Sequence, residues 1–213
     1  MAVDLELTPV QARVVGSLVE KQLATPQQYP LTLNSLVLAC NQTTNREPVT
    51  SYGEREVDDV LGGLKDIGLV RFVHPSHGGR VTKYRQVLEE RLDLSVEELA
   101  VLCVMLLRGP QTVNELRART ERLASFSSSD EVESVLAALA ARPEPLVVRF
   151  ERQPGMREPR WMHLLSGEPV DVPVVAASSP PASRGRNDDR LAALEDEVQR
   201  LRAEFDAFRA SFE

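Results

Sequence analysis

Seven cations, Arg80, Lys83, Arg85, Arg149, Arg152, Arg157 and Arg160, fall on two stretches of period-two alternation, with Tyr84, Phe150 and Trp161 interleaved among them. Side chains of this kind can neutralise phosphate oxygens, and each such contact makes binding salt-dependent. Strand alternation sends only part of each set outward, and the aromatics suit a core as well as a surface. Charged side chains also keep sheet edges soluble without any partner. The polar run from residue 41 to 46 adds Asn41, Gln42, Asn45 and Arg46, which can bond a nucleic-acid backbone or satisfy their own turn.

Catalytic groupings are sparse. Glu54, Glu56, Asp58 and Asp59 form a carboxylate cluster on a helix-like stretch, where a solvated acidic face is the simpler reading. His74 and His77 flank a Pro-Ser turn, and two histidines alone do not make a zinc site. Cys40 and Cys103 lie far apart inside apolar helical patterns and read as buried free thiols of a reducing compartment. The sequence carries no Ser/His/Asp set, phosphate loop or dinucleotide fingerprint. The expectation is a protein that is not an enzyme, with no cofactor, no metal and no evident small-molecule substrate.

The elements that would position these residues come in two copies. EVDDVLGGL at residues 56–64 returns as EVESVLAAL at residues 131–139, and PLTLNSL at 30–36 returns as PQTVNEL at 110–116. Ahead of each copy lies an apolar helical set: Val10, Val14, Val15, Leu18 and Val19 in the first, Leu99, Leu102, Cys103, Leu106 and Leu107 in the second. Spacings of three and four put each set on one helix face. Thr8, Ser51, Ser95, Thr112 and Ser128 each precede Glu or Gln by three residues, the capping-box form, and Gly68 and Gly109 fall where helices should stop. After the third helix of each copy the period drops from 3.6 to 2, which predicts a hairpin at 69–85 and another at 146–164.

Three helices followed by a two-stranded wing is the winged-helix order. The expected fold is therefore mostly α with small β-hairpins (α+β): a winged-helix domain at 1–90, a second at 91–167, a flexible Pro/Ser-rich linker at 168–187 and a coiled-coil helix at 188–213. In that tail Leu191, Leu194, Val198, Leu201, Phe205, Phe208 and Phe212 repeat at spacings of three and four, an a/d seam. Arg190 with Glu195, Glu197 with Arg202 and Glu204 with Arg209 would pair across a parallel homodimer; a single amphipathic helix folded back on the body is the alternative.

The stretches VEKQLATPQQYPLTLNSLVLACNQTTNREPV, LLRGPQTVNELRART and PGMREPRWMHLLSGEP resemble the bacterial YceH family. That resemblance spans residues 7 to about 169 and implies a tandem winged-helix fold and a cytoplasmic location. It implies no catalytic residues.

A winged helix that reads DNA inserts its third helix in the major groove. Here Val57, Val60, Leu61, Leu64 and Ile67 define the expected buried stripe of the first third helix, so Arg55, Asp59, Gly62 and Asp66 face outward and are net acidic. The second presents Asp130, Ser134, Ala137 and Ala141, with no cation. The doublets Gly62-Gly63 and Ala137-Ala138 suggest surfaces that another backbone can approach.

Charge agrees with a modest electrostatic role. The net charge is −7, which excludes a polybasic protein that grips nucleic acid in bulk. The acidic start MAVDLELTP has no secretory character, and the longest apolar run, Leu99 to Leu107, is too short to span a bilayer. The sequence thus favours a cytoplasmic binding module with duplex DNA as partner through its wings, or a protein partner through its third helices, and no membrane.

Overall fold

Thr8 opens the first helix as its residues require. Its hydroxyl accepts the Gln11 N–H at 3.3 Å while the Gln11 side chain accepts the Thr8 N–H at 2.9 Å, with Pro9 in the first turn. The computed structural model, which describes residues 5–74, 81–151 and 158–167, continues this helix as α1 (Pro9–Ala24). There follow β1 (Leu31–Thr32), α2 (Leu33–Cys40), α3 (Glu54–Asp66), β2 (Val70–Val73) and β3 (Lys83–Gln86), which pair antiparallel in the order β1-β3-β2. A short helix α4 (Leu88–Leu92) leads into α5 (Val96–Arg108), α6 (Val113–Thr120), α7 (Ser129–Ala140) and the antiparallel pair β4 (Val147–Arg149) and β5 (Trp161–His163). The protein is thus a mixed helical chain with small antiparallel sheets.

Several backbone bonds recur at matching positions of the two halves. Leu31 pairs with Tyr84 in the first, and Gln111 makes the corresponding bridge to Trp161 in the second. The Leu69 N–H donates to the Leu64 carbonyl and the Val87 N–H to that of Leu69; Leu146 to Leu139 and Leu164 to Leu146 repeat the pattern. Gly68 and Gly109 take φ of 73° and 70°, the left-handed region where a side chain would be strained.

Two details of the helix starts depart from expectation. Ser95 and Thr112 close full capping boxes, and Ser128 caps α7, but the Glu131 carboxylate turns to Ser127 rather than back to Ser128. Ser51 caps nothing: α3 begins after Gly53, whose cap makes no side-chain bond. The cause is Asn41, whose amide bonds both the N–H and the carbonyl of Tyr52 at 2.8 Å and holds that peptide in the loop.

The larger departure concerns α1 and α5. Each was expected to bury one stripe, yet Ala12 through Glu20 and Leu99 through Leu107 are buried without interruption. These buried runs make α1 and α5 the interior helices, which pack against each other, with the buried Arg13, Ser17 and Glu20 of α1 the polar exceptions. Gly16 lets them approach, since a Cβ there would stand 2.9 Å from Leu107 Cδ2 and 3.1 Å from Leu106 Cβ. The Cys103 thiol donates to the Gly16 carbonyl across this contact at 3.4 Å. The core residues on either side of residue 90, from Leu7 to Leu165, therefore form a single apolar cluster. Ile67, expected inside, is 41% exposed because α3 stops at Asp66 and Ile67 turns outward with its cap. The linker 168–187 and the heptad residues of 188–213 lie outside the described residues.

Candidate interaction surfaces

The hairpins and the loop before α3 divide the sequence-predicted cations into exposed and captured ones. On the first hairpin Lys83 is exposed, whereas Arg85 and Arg71 both reach the Glu90 carboxylate, at 2.8 Å and 3.1 Å. Phe72 and Tyr84, directly opposed in the ladder, meet edge to face at 5.0 Å, with Lys65 over the Phe72 ring at 5.1 Å. On the second hairpin Arg149, opposite Trp161, lies over that ring at 5.9 Å and remains exposed. Arg160 instead turns inward to the Pro110 carbonyl at 2.7 Å and the Glu115 carboxylate at 2.8 Å, tying the strand to the start of α6. Arg80, Arg152 and Arg157 lie outside the described residues.

The loop residues are largely occupied. Asn41 serves Tyr52, as above. Gln42 accepts from Lys21 and Arg46 at 3.3 Å and 3.1 Å. Asn45 adopts a left-handed φ of 59° and accepts from Arg108 at 3.0 Å. Arg46 is withdrawn from the surface altogether: its guanidinium bonds both oxygens of Glu20 and the Ala39 carbonyl at the end of α2. Arg13 of α1 reciprocates by donating to the carbonyls of Cys40 and Pro48. Arg46 and Arg160 thus hold structure, and neither stands free for phosphate.

The third-helix faces are exposed. On α3 these are Arg55, Asp59, Gly62 and Gly63; nothing lies within 4 Å of the Cβ position of Gly62, and Gly63 has only the Gln11 side chain at 3.6 Å. On α7 the exposed positions are Ser134, Ala137, Ala138 and Ala141. Among the described residues no backbone approaches Gly62, so their packing does not explain the glycine doublet.

Both thiols are buried. Cys40 and Cys103 are free, and burial pushes both thiols upward in pKa. His163 is buried at the ladder position that Gln86 holds in the first half, and desolvation brings it down to about 4. Exposed His74 accepts or shares a bond with Thr82 at 3.4 Å. No described helix is long and apolar enough to cross a membrane.

Sequence reading passed over four cations at helix ends, Lys21, Arg108, Arg119 and Arg122. Together with Gln42, Asn45 and the side of α5 they line a cleft of about 170 Å³. Each stands in or just past the last turn of its helix, a placement that sequence alone assigns to helix-end electrostatics.

The described residues thus form two similar helical units, each followed by a strand pair that carries exposed cations. The chain belongs to the family described as protein of unknown function DUF480, whose model matches residues 7–156. It is 49% identical to a UPF0502 protein of Citrifermentans bemidjiense over 92% of this chain and 89% of that one. It is also 48% identical to a UPF0502 protein of Citrobacter koseri, covering 96% and 97%, and 46% identical to the UPF0502 protein YceH of Salmonella newport, again covering 96% and 97%.

Proposed function

We propose that this protein is a cytoplasmic, non-enzymatic tandem winged-helix module that contacts the backbone of duplex DNA through its two hairpins. The observation that carries this reading is the contrast between faces. The hairpins present Lys83 and Arg149 to solvent, whereas the outward face of α3 carries Arg55 against Asp59 and Asp66 and is net acidic, and that of α7 bears Asp130 and small residues. A third helix of that charge meets phosphates badly, so recognition rests on the wings and reads backbone rather than bases. Arg80, Arg152 and Arg157, which by sequence join the strands, belong to the same set.

The test is fluorescence anisotropy with a mixed-sequence duplex at low salt. Changing Lys83 and Arg149 to Glu together should weaken binding about tenfold or more, since each phosphate contact is charge-assisted. Unchanged affinity would reject the wing assignment.

A second reading follows from the open Gly62 and the Ala137-Ala138 surface: an adaptor whose third helices dock a protein partner. Gly62→Arg and Ala137→Arg would then abolish partner capture while leaving DNA binding and stability intact. Self-association through residues 188–213 completes the proposal. Light scattering should give a dimer for the full chain and a monomer after removal of that segment; equal protomer mass in both would reject it.

A further inference from the structure

The last turns of α1, α5 and α6 converge on the loop after α2, and the cleft between them collects Lys21, Arg108, Arg119 and Arg122. Its one lining carboxylate is Glu20, and that group is committed to the buried Arg46. Lys21 shares Glu20 only at 3.4 Å, and Arg119 approaches Glu115 only at 3.7 Å. Arg108 spends its one bond on a neutral oxygen, Asn45 Oδ1, and Arg122 makes no ion pair among the described residues. Burial first, then the facing charges of Arg119 and Arg46, pull the Arg108 guanidinium below its ordinary pKa, and the carboxylates of Glu47 and Glu115 offset this only in part. The carbonyl ends of three helices attract cations, which accounts for one at each end. It does not account for Arg122 or for the convergence of all four on one concavity.

We propose that this cleft binds a small organic phosphate ester. Arginine forks match phosphate oxygens at two points, and Val104, Leu107 and Leu123 in the same lining suit the carbon body of an ester. A cleft of about 170 Å³ admits a phosphate with a few carbons. Lys21 and Asn45 come from the first repeat and the three arginines from the second, so the ligand bridges them and stabilises their mutual packing.

An amide NMR titration of the full chain tests this with two probes, inorganic phosphate and glycerol 3-phosphate, at low ionic strength. Saturable shifts are expected at residues 21, 42–45, 108 and 119–123, with the ester binding more tightly than phosphate. The double variant Arg119→Gln with Arg122→Gln should bind about tenfold or more weakly, and the exposed control Lys65→Gln should match the parent. The proposal is overturned if neither probe gives saturable shifts there. Equal affinity for the two probes, unchanged affinity in the double variant, or shifts confined to the hairpins would overturn it as well. None of these outcomes depends on whether duplex DNA binds.

Discussion

Arg46 grips the Glu20 carboxylate at two points, 2.6 Å and 3.0 Å, with its side chain fully buried. Burial alone would raise the Glu20 pKa, but the hydrogen bonds and charge of Arg46, with help from Lys21, outweigh it and hold the group below its usual range. Glu20→Gln leaves a buried guanidinium without its counter-charge and should cost about 3 kcal/mol or more. Arg46→Lys should not rescue, because an ammonium cannot serve both carboxylate oxygens and the Ala39 carbonyl in one plane. Urea melts of the two variants check this; a loss below about 1 kcal/mol in both would show that the pair contributes little.

His163 predicts a specific acid sensitivity. Its folded-state pKa, about 4, lies below its ordinary 6.5 because burial disfavours the charged ring. The native state therefore binds fewer protons than the unfolded chain between those values, so stability is full above pH 6.5 and declines as pH falls toward 4. The decline due to this residue is about 3 kcal/mol. Glu20 acts in the same direction at lower pH, since protonation removes its bond to Arg46. In His163→Met the stability difference between pH 7 and pH 4.5 should shrink, whatever the change at pH 7; an unaltered difference would exclude His163 as the source.

Two helical glycines should respond oppositely. Gly16 is closed in by Leu106 and Leu107, whereas Gly62 faces open space. Gly16→Val should lose about 2 to 3 kcal/mol through overpacking of the α1–α5 contact. Gly62→Ala should gain about 0.5 to 1 kcal/mol from helix propensity. Chemical denaturation of both variants decides the point, and a destabilising Gly62→Ala would mean that the α3 face is not open in solution.

The caps give a finer discrimination. Ser95→Ala and Thr112→Ala each remove a hydroxyl that holds a helix N–H and should cost about 1 kcal/mol. Ser51→Ala should be almost neutral, because α3 starts behind Gly53. Equal losses at all three would restore the capping role expected of Ser51.

Local rules made much of this fold legible. Hydroxyl caps, the left-handed glycines and the switch of period from 3.6 to 2 all act within a few residues, so the helices and hairpins of both repeats could be read directly. What could not be read depends on distant partners. β1 is two residues long and exists only because β3 pairs with it. The unbroken burial of Ala12 to Glu20 and of Leu99 to Leu107 follows from α1 and α5 meeting each other, and a single helix pattern cannot announce its neighbour. Arg46 sits in a polar run that reads as solvated, and its burial requires Glu20 from α1. The cleft is assembled from four separate segments whose cations each look ordinary alone.

The central claim, contact with duplex backbone through the hairpins, is tested most directly by the salt dependence of DNA binding by the full chain. If Lys83, Arg149, Arg80, Arg152 and Arg157 neutralise phosphates, log affinity should fall linearly with log salt at a slope of about −2 or steeper, and the slope should flatten by about 1 for each of these cations removed. Absence of binding at low salt, or binding with a slope near zero, would contradict the account and favour a protein partner at the third helices.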